Sequence, residues 1–293
     1  MRVAFYPGCV AKGACPELYR STVKVADRLG IELIELKSAS CCGAGVIHEA
    51  DPDLALAINA RTFSMAEELG LPIMTICGTC QGVMSGCNKR LKEDAAARER
   101  INGMLGKDGR PYGGTVEVKH LLWILVKEYG MEALKAFVRR PLKGLKVAPF
   151  YGCYILRPSS SLGFDDPANP DSLERVIAAL GADIVEYAGR TKCCGFPVIL
   201  EREPIATEMA GLNELDAKKN GADCMVTPCP LCHMSLDIYQ EKSEKIVKEK
   251  IGMPILHLPQ LLGLAMGFSP KEMGMSRHMV STKAVERKIR LED

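Results

Sequence analysis

The chain has 293 residues, of which 47% are apolar, 13 cysteines and a formal net charge of +2. That length suits one large domain or two smaller ones, with enough apolar content for real cores. A near-neutral charge without a basic and aromatic stripe excludes nucleic acid as the expected partner.

Residues 2–6 are predicted as a short strand ending at Pro7-Gly8-Cys9. Residues 17–29 have helical apolar spacing and stop at Gly30, and residues 31–36 form a strand before Cys41-Cys42-Gly43. A helix over 54–69 ends at Gly70, and a strand over 72–76 ends at Cys77. Helix follows from Gln81 to about Met104, with an interruption expected at Gly86-Cys87. A loop over 107–114, a strand over 115–118 and a helix over 120–129 complete the first half, and a basic linker spans 137–144.

The second half repeats this order. A strand over 145–150 ends at Gly152-Cys153, a helix over 171–180 stops at Gly181, and a strand over 182–187 precedes Cys193-Cys194-Gly195. A helix over 206–220 and a strand over 224–227 lead to Cys229, and a further helix starts after Cys232. Residues 255–258 and 259–266 match 116–118 and 120–126. Corresponding cysteines lie 144 apart at the first position and 152 apart at the later four, so eight residues are inserted, which we place in residues 156–170. No run is long enough to span a membrane, and no charged-then-apolar leader opens the chain. The expectation is a soluble cytoplasmic α/β protein of two repeated domains, each a small parallel sheet flanked by helices. The domains are 1–140 and 141–268, followed by a charged tail over 269–293 that packs on a partner or is mobile.

Ten cysteines form one pattern used twice: Cys9, Cys41, Cys42, Cys77, Cys80 and then Cys153, Cys193, Cys194, Cys229, Cys232. Thirty-four residues separate each adjacent pair from the next Cys-x-x-Cys. Every group follows a predicted strand, so all converge on one sheet edge, where ligands of such folds gather. A reducing cytosol disfavours disulfides and points to metal or redox work. Structural zinc takes four ligands, so five thiols exceed it, and adjacent cysteines suit two neighbouring irons better. A cubane offers four terminal positions, so five bound thiolates imply a more open iron–sulfur cluster. Cys15, Cys87 and Cys224 remain: the first with no special role, the second in a helix, the third in a core strand.

Tyr6-Pro7-Gly8-Cys9, Cys41-Cys42-Gly43, Cys77-Gly78-Thr79-Cys80, Tyr151-Gly152-Cys153-Tyr154, Cys193-Cys194-Gly195-Phe196-Pro197 and Cys229-Pro230-Leu231-Cys232-His233 resemble the double cysteine-rich CCG domain family. Within that family it closely resembles the B subunit of the heterodisulfide reductases of methanogenic archaea. The resemblance covers residues 1–265. It implies two noncubane 4Fe–4S clusters on the ten cysteines, facing each other across a pseudo-twofold. It also implies reduction of the mixed disulfide of coenzyme M and coenzyme B by two one-electron transfers, in methanogenesis. The implied partners are the other heterodisulfide reductase subunits: a flavin-bearing, iron–sulfur A subunit capable of electron bifurcation and an iron–sulfur C subunit. A hydrogenase or formate dehydrogenase would stand upstream.

The sulfonate, carboxylate and phosphate of those coenzymes would call for cations near the clusters. Arg157 is the leading candidate, with Lys12, Arg190 and Lys192. His48 and His233 neighbour the ligands, to order a loop or to donate protons. His120 and His257 occupy equivalent places and are expected to start helices. Two alternatives stay open at this point: an electron-relay iron–sulfur subunit of a lactate or glycolate oxidising complex, and a zinc-stabilised scaffold.

Overall fold

The structure is a computed structural model that describes residues 1–106 and 109–290. The first two residues of the expected 107–114 loop and the last three of the tail lie outside the described residues.

Strand β1 (Arg2–Tyr6) is buried from Val3 onward, as a parallel strand covered on both faces must be. It pairs in parallel with β2 (Glu32–Glu35) on one side and β3 (Ile73–Thr75) on the other, and β3 pairs with β4 (Val118–His120). The second sheet is built likewise from β5 (Lys146–Pro149), β6 (Asp183–Ile184), β7 (Cys224–Thr227) and β8 (Ile255–His257). The orders are β2-β1-β3-β4 and β6-β5-β7-β8. Thr75 pairs with His120 and Thr227 with His257, so the register repeats along with the order.

The helices follow their sequence signals. Pro16 opens Pro16–Arg28, and Leu18, Thr22, Val25 and Ala26 form its buried stripe. That face packs on the helix Leu258–Ala265 of the other half. Asp51 accepts the Leu54 N–H at 3.0 Å to start Pro52–Leu69, and Gly70 ends it at φ 64°. Val3, Phe5 and Leu18 share one core with Val147, Leu258 and Leu261. Each such aliphatic side chain contributes about 1.5–3 kcal/mol on burial, so the halves are held together by the same effect that folds them.

Several expectations need correction. The helix Gly78–Glu93 runs unbroken through Gly86-Cys87; the break falls at Asp94, whose carboxylate accepts the Ala97 N–H at 2.9 Å and starts Ala95–Met104. The strand expected over 115–118 is shifted to Val118–His120, and the one over 182–187 shrinks to two residues. The helix expected over 120–129 is α-helical only over Leu121–Trp123 and continues as a π-helix over Ile124–Tyr129.

Residues 269–290 of the tail pack on the chain itself. Met273 and Met275 are buried, and Met273 O accepts from Gln260 Nε2 at 2.9 Å. Arg277 pairs with Glu17 at 2.9 Å, and Asp237 accepts the Met279 and Val280 N–H groups. The helix Lys283–Arg290 buries Val285 and Ile289. Methionines and β-branched residues spaced among charges conceal this packing from a composition reading. Among the described residues no helix is long and apolar enough to cross a membrane.

Candidate metal centre

A sheet of order 2-1-3-4 reverses direction between its first and third strands, and the loops diverging there leave a crevice at the carboxyl ends. Cys9 follows β1, Cys41 and Cys42 follow β2, and Cys77 N-caps the helix after β3 with its Sγ accepting the Cys80 N–H at 3.4 Å. They meet in that crevice: Cys9 Sγ lies 3.7 Å from Cys41 Sγ, and Cys42 Sγ 3.5 Å from Cys80 Sγ. These separations are far beyond a disulfide bond and suit thiols converging on a common centre. All 13 cysteines are free thiols. The first set lines a cavity of about 240 Å³ closed by Phe196, Pro230 and Leu231 of the other half.

The second set is built alike. Cys153 Sγ lies 4.0 Å from Cys193 Sγ, and Cys232 interacts with Cys194 and Cys229. Gly43 N–H points at Cys41 Sγ (3.5 Å) and Gly195 N–H at Cys193 Sγ (3.4 Å). The two sets touch: Cys77 Sγ lies 4.0 Å from its own counterpart, Cys229 Sγ. Pro228 O accepts from Gly78 N at 3.2 Å and pairs with His120 Nε2 at 2.9 Å. A residue touching its equivalent is the contact that a twofold relation makes on its axis.

The charge balance says what belongs there. Hydrogen bonds from Cys42 and Cys9 pull the Cys41 thiol down to about 2, and those from Cys153 and Cys194 pull Cys193 down to about 3. The ionised Cys41 pushes Cys42 up to about 12, and Cys9 is raised for the same reason. Cys77, Cys80 and Cys232 are also held in the neutral form by neighbouring thiols and burial. The thiols alone therefore share few charges, because like charges at such spacing cannot all ionise. Among the described residues no lysine or arginine lines the first cavity to compensate them. A cationic metal centre is what lets all five ionise, and an all-thiol donor set suits iron–sulfur chemistry. Backbone geometry fits too. Gly8 (φ 79°) and Gly152 (φ 72°) sit against the thiols, where an added Cβ would come within 3.3 Å of Cys80 Sγ and 2.6 Å of Cys232 Sγ.

The expected cations sit differently. Lys12 pairs with Glu35 at 2.5 Å, which also accepts from Tyr19 at 2.6 Å. Arg157 donates to Thr191 O (3.0 Å) and Pro167 O (3.3 Å). Arg190 pairs with Glu174 and donates to Pro170 O and Asn169. Lys192 is exposed. None of the four lines the 240 Å³ cavity, although Lys12 borders a cleft beside Cys9 and Cys41.

His48 is exposed near Glu49. His233 is buried, pairs with Ile255 O at 3.1 Å and stacks on His257 at 3.8 Å, a loop-ordering role. His120 and His257 both N-cap helices, as their equivalent positions suggested. Cys224 lies in the core, Cys87 in a buried helix face and Cys15 against Glu17. A larger cavity of about 540 Å³, lined by Lys89, Lys119, Trp123 and Phe164, holds no cysteine. Sequence reading missed Thr79, whose hydroxyl lies 3.4 Å from Cys229 Sγ. Aligning Cys77-Gly78-Thr79-Cys80 with Cys229-Pro230-Leu231-Cys232 was the available signal.

The comparisons agree with this geometry. The family profile of the cysteine-rich domain CCG matches residues 3–85 and 147–237. The chain is 44% identical to the 8-methylmenaquinol:fumarate reductase membrane anchor subunit of Wolinella succinogenes, over 94% of this chain and 96% of that one. It is 34% identical to the B subunit of the ferredoxin/F420H2-dependent CoB-CoM heterodisulfide reductase of Methanosarcina acetivorans, over 95% of this chain and 94% of that one. A crystal structure of a hypothetical protein from Helicobacter pylori shares the fold, with a TM-score of 0.76 at 15% identity, over 96% of this chain and 52% of that one. With both thiol sets falling inside the matched segments, the chain belongs to the cysteine-rich CCG domain family of iron–sulfur proteins, among which the heterodisulfide reductase B subunits are its relatives.

Proposed function

We propose that the chain is the iron–sulfur component of a multisubunit oxidoreductase of the heterodisulfide reductase type, placing two one-electron sites beside one two-electron partner. Cys9, Cys41, Cys42, Cys77 and Cys80 would hold one noncubane 4Fe–4S cluster, and Cys153, Cys193, Cys194, Cys229 and Cys232 the other. Each cluster, when bound, supplies a site that takes up or releases one electron. The observation that carries this reading is the 4.0 Å contact between Cys77 Sγ and Cys229 Sγ, which leaves no protein layer between the two ligand sets. The chain's own residues orient the thiols through the N–H groups of Gly43, Cys80 and Gly195. Phe196, Pro230 and Leu231 cover one side of the first set with hydrocarbon. Free thiols on this scale suit a reducing compartment, which supports a cytoplasmic location.

For the two-electron partner, the leading reading is a quinol. Among the described residues no lysine, arginine, aspartate or glutamate lines the first cavity, and Lys12 and Arg190 are already neutralised by Glu35 and Glu174. An apolar carrier that gives up two electrons and two protons fits such a lining better than a polyanion does. The 44% identical relative is named for 8-methylmenaquinol and fumarate. Electrons would then pass to partner proteins for fumarate reduction.

The second reading is the coenzyme M–coenzyme B disulfide, which takes two electrons and two protons to give two thiols. The complete five-thiol set in both halves favours it, as does the 34% identical relative. Lys12, Arg157, Arg190 and Lys192 would then release their present partners to hold the anions, with the flavin-bearing A and iron–sulfur C subunits delivering electrons.

The complex purified with its native partners separates the two readings. Loss of reduced methylmenaquinone with fumarate supports the first, and release of free thiols from the mixed disulfide supports the second. A preparation with its full metal content but neither activity sinks both. About eight irons per chain are expected, from four in each cluster.

A further inference from the structure

The two halves supply their thiols with largely matched backbone donors, Cys41 also receiving the Cys42 N–H. Cys41 receives the Gly43 N–H and Cys193 the Gly195 N–H. Cys42 receives Ala44 and Cys194 receives Phe196. Cys77 receives Cys80 and Cys229 receives Cys232. The side-chain donors are not the same. Thr79, from the first half, crosses the interface and places its hydroxyl 3.4 Å from Cys229 Sγ. Its counterpart in the second half is Leu231, which has no hydrogen-bond donor to return to Cys77. Thr79 is buried, at the edge of the first cavity.

We propose that Thr79 is a tuning residue that stabilises the reduced state of the second five-thiol site from across the interface, biasing a single electron toward that site. The inference rests on the proposed function, since it needs a redox centre at each thiol set. The physical basis is general. A hydrogen bond to a ligating sulfur stabilises the extra negative charge that reduction adds, and so raises the reduction potential. With Cys229 as a ligating thiolate, the hydroxyl is the donor. On the other side of the axis, Leu231 presents only hydrocarbon to the first cavity. Such a surface offers the added charge nothing and works against reduction there. Solvent reaching the exposed Cys9 and Cys41 acts in the opposite sense on the first site. The proposal is therefore the contribution of Thr79 to the second site, read against that site's own value.

The experiment is a paramagnetic-resonance redox titration of the loaded complex, with iron content measured in parallel. Cys41→Ser and Cys193→Ser, each altering its own line shape, assign the signals to the two sites. Thr79→Val, of equal size but without the hydroxyl, is expected to disfavour reduction of the second site by about tenfold, or ~59 mV for one electron. The first site should stay in place, and Thr79→Ser should restore the second. An unmoved second site, a shift confined to the first, or a loss that serine fails to restore would overturn the proposal. If the wild-type complex holds no iron–sulfur centre at either set, the proposed function itself fails and this inference falls with it.

Discussion

The two thiol sites are copies with different surroundings. In the first, Cys9 and Cys41 are exposed; in the second, their counterparts Cys153 and Cys193 are half-buried. The segment 156–170, where the eight inserted residues fall, is longer than its equivalent in the first half. Its Pro167 and Pro170 carbonyls hold Arg157 and Arg190, while its helix Ser159–Leu162 packs on Gly78–Glu93 of the first half. The opening beside the first set is bordered by the Lys12–Glu35 pair. The same ligand motif therefore yields one open and one sheltered centre. Sheltering is a property of the loops, while ligation is a property of the strand ends.

The largest test of that comparison removes a ligand on the axis. Cys229→Ala is expected to abolish the second site and to disturb the first through Cys77, whereas Cys41→Ala should empty only the open site. Iron analysis and the paramagnetic spectra of both variants check this, and equal, independent losses would break the idea of touching sites.

Next come the glycine cradles. Gly152→Ala forces a Cβ to 2.6 Å from Cys232 Sγ, closer than the 3.3 Å that Gly8→Ala forces on Cys80 Sγ, and both sit at positive φ. Backbone strain of about 1–3 kcal/mol adds to the clash at each position. Iron is expected to be lost from the second half in Gly152→Ala and largely kept in Gly8→Ala. A reversed order would show that the open site is the less tolerant one.

A third test uses pH. Burial lowers the His120 pKa to about 4 from an ordinary 6.5. The unfolded chain therefore binds a proton on this residue below about pH 6.5, and the folded chain does not until about pH 4. Its contribution to stability is complete above that window and falls by about 1.4 kcal/mol per pH unit inside it. His120→Gln should flatten this part of the denaturation profile. An unchanged acid limb would count against the buried neutral ring at Pro228.

The smallest effect is expected from Lys12→Ala. Its ion pair with Glu35 is half exposed at the lysine end and worth about 0–1 kcal/mol. A large loss of activity with no loss of stability would instead give Lys12 a substrate role and favour the disulfide reading.

Much of this was legible in the sequence. The strand–helix order and the equal spacing of cysteines specify two parallel sheets with thiols at their carboxyl ends, because parallel strands are joined by helix-bearing crossovers of one hand. The thiols that come together could be named residue by residue for the same reason. What was not legible depends on neighbours distant in the chain. Glu174 claims Arg190, and Glu17 draws the tail in through Arg277, yet neither carries a local signal. The break at Asp94 was misplaced because glycine weakens a helix only modestly, whereas a capping carboxylate offers the backbone an alternative.

The Cys77–Cys229 contact has one more consequence. Two identical chains related by a true twofold would have to place the same residue at positions 79 and 231, and an electron shared between them would have no preferred side. Joining the copies in one polypeptide lifts that degeneracy. Threonine can stand on one side of the axis and leucine on the other, so direction becomes a property that a single substitution can write into the molecule.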